Sequence, residues 1–229
     1  MKIADNVEVL EIEGEHGVLY PVLIYDNANL VLVDTALPGQ IEMLEKAVSN
    51  AGFSLEDITH VIITHQDMDH IGCAKILAGF GAEIMAHENE APYIQGEKTL
   101  IKISEMEDRF AELNEGERAF YERLKKGAPH FHVHVDRLLK DGEMLDYCGG
   151  IQVVHTPGHT PGHIALLLKH DNIMIAGDAA NILDNCLTGA NPQYTSNQAE
   201  AQKSFERILT YYPDSVVCYH GGWLPLCVI

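Results

Sequence analysis

The sequence predicts an α+β fold in which two sheets pack face to face with helices on their outer sides. Three observations lead there. Strand-length apolar runs fill residues 7–34, 58–63 and 83–86 and return from 131 to 176. Helix-period segments follow each of these β-rich halves, and turn residues separate the runs. At 229 residues, 46% hydrophobic and 21% charged, the chain is long enough to bury one large core.

Taken in order, Val7-Glu8-Val9-Leu10-Glu11-Ile12 alternates, Gly17 to Tyr25 is apolar, and Ala28 to Val33 ends on Asp34. Gly14 and Asn27 supply the turns. Pro38-Gly39 opens an amphipathic helix with Ile41, Leu44, Ala47 and Val48 on one face. Ile58 to Ile63 reads as a buried strand, residues 70–79 as a helix and Glu83 to Ala86 as another strand. In residues 96–130, Met106, Phe110, Leu113, Phe120 and Leu124 recur at helical spacing among many charges, with a break near Asn114-Glu115-Gly116. This segment is either a solvated helical insertion or a cap closing over a site, within one domain spanning 1–229. Strands are expected again at Phe131–Val135, Glu143–Leu145, Ile151–His155, His163–Leu168 and Asn172–Ala176. A loop over 178–197, a helix from Gln198 to Tyr211, a strand from Ser215 to Tyr219 and an apolar tail from Trp223 to Ile229 complete the chain.

Fifteen Lys and Arg stand against 34 Asp and Glu, a formal net charge of −19. A field of that sign repels nucleic acid and anionic membrane surfaces, which leaves small molecules as the expected partners. The N-terminus has no signal-peptide pattern and no apolar run approaches the roughly 18 residues of a membrane span, so a cytoplasmic location is expected. Cys73, Cys148, Cys186, Cys218 and Cys227 lack CxxC spacing and read as free thiols. Oligomeric state has no sequence signature here.

The densest chemistry lies in Thr64-His65-Gln66-Asp67-Met68-Asp69-His70-Ile71-Gly72, where a strand gives way to a helix. Four potential metal ligands within six residues, on a loop held between rigid elements, can be aimed at one point. Imidazole with carboxylate suits zinc, iron or manganese. Three later stretches repeat the form of a polar residue just beyond an apolar strand. They are His155-Thr156-Pro157-Gly158-His159-Thr160-Pro161-Gly162-His163, then Gly177-Asp178, then His220-Gly221.

In that order, and with Asp34 ahead of them, these motifs resemble those of the metallo-β-lactamase-fold hydrolase superfamily, over about residues 17–222. The resemblance implies an αββα sandwich of two mixed sheets with a two-metal site along one edge. By position it implies that His65, Asp67 and His159 bind one ion, that Asp69, His70 and His220 bind the other, and that Asp178 bridges them. Asp34 would orient a ligand by hydrogen bonding, and His163 would be structural. The departure is Asp67, which stands where the family's usual motif has a second histidine. An anionic oxygen donor moves preference from zinc toward iron or manganese and lowers the Lewis acidity of the ion.

The activity implied is hydrolysis of a small ester-like bond (lactone, thioester, β-lactam or phosphoester) by hydroxide held between two divalent ions, zinc first, with Asp69 orienting it and passing a proton. The alternative is an iron-dependent oxidoreductase, which Asp67 favours but which lacks a flavin or iron–sulfur motif. A non-catalytic binding protein is the third reading. His155 reads as a structural histidine, and His130, His132 and His134 as an exposed face of one strand. Tyr194 and Asn181 are candidates for lining the substrate pocket.

Overall fold

In the computed structural model, residues 1–14 and 17–226 are described. Strands β1 (Lys2–Ala4), β2 (Val7–Val9), β5 (Val22–Tyr25), β6 (Leu30–Val33), β7 (His60–Ile63), β8 (Glu83–His87) and β9 (Arg137–Leu139) lie side by side in that order in one sheet. Between β2 and β5 the hairpin β3 (Ile12–Gly14) and β4 (Gly17–Leu19) projects as a separate ribbon. The second sheet orders β10 (Met144–Leu145), β11 (Ile151–His155), β12 (Ile164–Leu168), β13 (Ile173–Gly177), β16 (Ser215–Cys218) and β17 (Gly222–Pro225). A further hairpin, β14 (Ala180–Leu183) with β15 (Cys186–Gly189), stands between β13 and β16 in the chain. Both large sheets are mixed. β6 to β9 run parallel, as do β13 and β16, and the other neighbours are antiparallel.

Side-chain alternation builds the layers. Val31, Val33, Ile62 and Met85 of the first sheet meet Val153, Ile164, Leu166 and Ile175 of the second in the central core. Their sequence neighbours Leu32, Val61, Ile63 and Ile84 point the other way, against the helices. These are α1 (Ile41–Asn50), α2 (Met68–Ile71), α3 (Ala74–Phe80), α4 (Ala91–Ile94), α5 (Ile101–Asp108) and α6 (Glu115–Phe131). Val154, Leu167, Met174 and Val216 of the second sheet cover Ile208 of α7 (Gln198–Leu209). The result is the expected four-layer αββα sandwich.

Local differences have physical causes. The helix expected over 70–79 is broken at Gly72-Cys73, because Gly72 sits against Leu37 and Pro38 so closely that a Cβ would come within 2.4 Å of three of their atoms. Residues 131–135 are not a strand. Asn114 and Glu117 form a reciprocal N-terminal cap for α6, which runs through Phe131, and the chain then reaches β9 in extended form with Val133 donating to Ile94. His130, His132 and His134 therefore do not share a strand face. The 178–197 segment is the β14–β15 hairpin plus a 3₁₀ turn at Pro192–Tyr194 rather than a structureless loop. The tail's Trp223 pairs with Val217 as part of β17, and its last three residues, Cys227 included, lie outside the described residues. No helix among the described residues is long and apolar enough to cross a membrane.

Candidate metal centre

Five strand ends converge on one rim of the sandwich. Asp34 follows β6, the 64–70 loop follows β7, the 156–163 turn joins β11 to β12, Asp178 follows β13 and His220 follows β16. At the first end of the site Asp67 Oδ2 lies 3.4 Å from His65 Nε2 and 3.2 Å from His159 Nε2. At the other end Asp69 Oδ2 lies 3.7 Å from His70 Nε2 and 3.3 Å from His220 Nε2. Asp178 stands between them, with Oδ1 3.6 Å from His70 and Oδ2 3.6 Å from His159 and 3.3 Å from His220.

These separations suit a shared cation. Two ligands bonded at about 2.0–2.1 Å to a tetrahedral ion sit roughly 3.3–3.4 Å apart. Nε2 of His65, Nε2 of His70 and Oδ1 of Asp178 are buried, with no hydrogen-bond partner among the described residues. Native interiors rarely leave polar atoms so. The donor set, nitrogen and carboxylate oxygen with no thiolate, fits a divalent ion of the zinc, iron or manganese kind.

Behind the donors a hydrogen-bond layer fixes their tautomers. Asp34 accepts from Thr64 N, Thr64 Oγ1 and His70 Nδ1 at 2.8–2.9 Å, which leaves His70 Nε2 facing the site. The Thr64 hydroxyl, donating to Asp34, accepts from His65 Nδ1 at 3.1 Å and turns His65 Nε2 the same way. Asp34 holds this position at φ 61°, a conformation seldom adopted by a residue with a Cβ. His163 does not face the donors: its Nε2 accepts from Asp178 N at 3.0 Å while Nδ1 donates to Thr156 Oγ1 at 2.8 Å. A side chain at Gly177 would strike His163 Nε2 at 2.8 Å, so glycine there is what lets Asp178 take that support.

The charges are strongly coupled. Burial alone would lower the pKa of His70 and His220, but the carboxylates of Asp34, Asp69 and Asp178 raise His70 to about 9, and those of Asp178 and Asp69 raise His220 to about 11. Burial and the neighbouring His70 push His65 down to about 4. Burial opposes ionisation of Asp178, yet the imidazoles of His70, His220 and His159 hold its carboxyl well below the usual range.

Three residues that sequence reading missed complete the site. Lys102 of α5 contacts Asp67 Oδ2 through Nζ and lies 5.1 Å from the centroid of the Tyr194 ring. Glu90, fully buried, accepts from Gln66 N, Gln66 Nε2 and Gly162 N, and so ties the 64–70 loop to the 156–163 turn. The Tyr219 hydroxyl donates to Asp69 O at 2.7 Å and accepts from Ala36 N at 3.1 Å, with its ring against His70. Glu90 and Tyr219 lie at or just past strand ends, the signal that picked out the other residues. No local pattern marks Lys102.

The donors open onto a cavity of about 380 Å³. Leu19, Leu37, Met68 and Phe120 give it an apolar wall, and Asn181 and Tyr194 both line it. The model of the family described as the metallo-beta-lactamase superfamily matches residues 20–220. A probable metallo-hydrolase, YflN, of Bacillus subtilis is 27% identical, over 84% of this chain and 75% of that one. A hydroxyacylglutathione hydrolase of Rhizobium meliloti is 24% identical, over 88% of this chain and 61% of that one. A crystal structure of a metallo-beta-lactamase family protein from Thermus thermophilus superposes with a TM-score of 0.78 at 22% identity, covering 98% of this chain and 76% of that one.

Proposed function

This chain is a metallo-hydrolase belonging to the metallo-β-lactamase superfamily, and from that premise we propose that it cleaves a small ester-like bond, a thioester or lactone before a β-lactam or phosphoester. The observation that carries the reading is the convergence of seven donor side chains from four loops, with buried atoms that have no hydrogen-bond partner among the described residues. His65, Asp67 and His159 would hold one divalent ion and Asp69, His70 and His220 a second, with Asp178 shared; zinc is the first candidate. When bound, such ions make water nucleophilic near neutral pH and polarise the carbonyl or phosphoryl oxygen under attack.

The chain's own groups then do the positioning. Asp34 and Thr64 keep the imidazoles of His70 and His65 aimed at the site. Asp69, whose carboxyl pKa is lowered chiefly by the His70 charge against the opposing effect of burial, is ionised and lines the cavity. It can take a proton at its carboxylate and pass it to the leaving group. The apolar wall suits an acyl chain, and a cavity of about 380 Å³ admits a small molecule rather than a polymer. The thioester preference draws on the name of the Rhizobium meliloti relative.

The test is a panel of thioester, lactone, β-lactam and phosphodiester substrates, assayed before chelation, after it and after adding ions back. Turnover of a thioester or lactone that disappears with chelator and returns with zinc is the expected result. Undiminished turnover in metal-free protein would remove the mechanism. Asp67 supports a second reading, iron with redox chemistry, because its oxygen donor suits iron. Iron by elemental analysis, with oxygen consumption and no ester turnover, would favour that reading.

A further inference from the structure

Resting on the metal-binding reading above, we propose that the Lys102 ammonium is a built-in competitor for the first cation site. An ion entering the His65–Asp67–His159 end must displace it from Asp67.

The geometry is specific. Lys102 Nζ contacts Oδ2 of Asp67, the same oxygen that lies 3.4 Å from His65 Nε2 and 3.2 Å from His159 Nε2. The oxygen that would face an ion between those two histidines is therefore already engaged by a cation. The lysine is delivered there by design of the backbone. Gln66, inside the ligand loop, accepts from Ile101 N at 2.8 Å through Oε1, which fixes the first turn of α5 beside Asp67. The Tyr194 ring flanks Nζ from the other side. Asp69 and Asp178 add further negative potential, so the ammonium stays charged where it is.

At the far end the groups paired with the carboxylates are themselves ligands. Among the described residues the ion-pair partners of Asp69 and Asp178 are all histidines, which can give up a proton and coordinate. Lysine held by carboxylates cannot do so near neutral pH and must be moved. The arrangement also accounts for Asp67 itself. A neutral imidazole at that position would offer an ammonium no ion pair, whereas aspartate adds one negative charge and Lys102 offsets it. Filling the first end means displacing Lys102 from Asp67 toward the cavity, which it lines. Metal occupancy is thereby coupled to the start of α5.

Titration of metal-free protein with zinc, followed by calorimetry and by elemental analysis after dialysis, tests this in the native chain and in Lys102→Met and Lys102→Arg. Lys102→Met keeps the aliphatic stem and removes the charge. The native chain should bind two ions. Lys102→Met should tighten one of the two sites by about ten- to a hundredfold, the worth of one charge-assisted hydrogen bond, and leave the other unchanged. Lys102→Arg should bind as the native chain does. Both sites unchanged in Lys102→Met would overturn the inference and leave the hydrolase reading intact. Failure of every form to bind ions would overturn both. A measurement on the native chain alone guards against a misfolded variant. Amine labelling of Lys102, read by mass spectrometry, should rise severalfold between zero and two equivalents of zinc, and labelling that does not change contradicts the competition.

Discussion

Asp178 reaches His70 with one carboxylate oxygen and both His159 and His220 with the other, all within 3.6 Å, so its carboxylate spans both ends of the site. Asp178→Ala should abolish turnover and reduce bound metal, both read on the purified protein. Asp34 acts one step further back, through the 2.9 Å hydrogen bond to His70 Nδ1. Asp34→Asn keeps the shape but presents an amide to Nδ1, and metal affinity should fall about 10- to 100-fold while the fold persists. At this scale the sequence was most legible, because His65, Asp67, Asp69, His70, His159, Asp178 and His220 all sit just past strand ends within recognisable spacings. Lys102 was not, since its partner is 35 positions away and only the packing of α5 brings them together.

Strand ends become a site only if the turns leaving them are held. The 156–163 turn lies on α7 so closely that a Cβ at Gly158, whose φ is +133°, would fall 2.1 Å from Ala201 N. Gly158→Ala must shift the turn or the helix. It should lower stability by at least about 2 kcal/mol in denaturant unfolding and weaken metal binding through its neighbour His159. The elements that sequence pattern located well bury apolar residues against a sheet or helix layer: β7, β12 and β13 lie between two layers and read as continuous apolar runs, and α7 carries a 3.6 period. Those it missed have another cause. β14 and β15 are short and pair mainly with each other, and of their residues only Ala180 is fully buried, so little apolar pattern marks them. Residues 131–135 alternate apolar and polar without pairing in a sheet, because Val133 and Val135 bury against the helical layer instead.

For the molecule as a whole, the concentration of charge at one rim makes stability depend on pH. In metal-free protein His70 and His220 have pKa values of about 9 and about 11, against about 6.5 unfolded. A raised value means the folded form holds its proton longer. The stabilisation is complete below about pH 6.5 and is lost as pH climbs through 9 toward 11. His65 and His163, lowered by burial, have finished their opposite contribution by neutral pH. The melting temperature of metal-free protein should therefore fall from pH 7 to pH 10, followed by calorimetry, while affinity for divalent ions rises as the histidines release protons. A flat or rising melting curve would contradict this charge arrangement. The most direct single measurement is anomalous diffraction at the zinc edge from crystals of the zinc-loaded protein. It should place density about 2.0–2.2 Å from Nε2 of His70 and of His220 and a second peak against His65 and His159. Absence of any peak among these side chains, with zinc found elsewhere or not at all, would contradict the account.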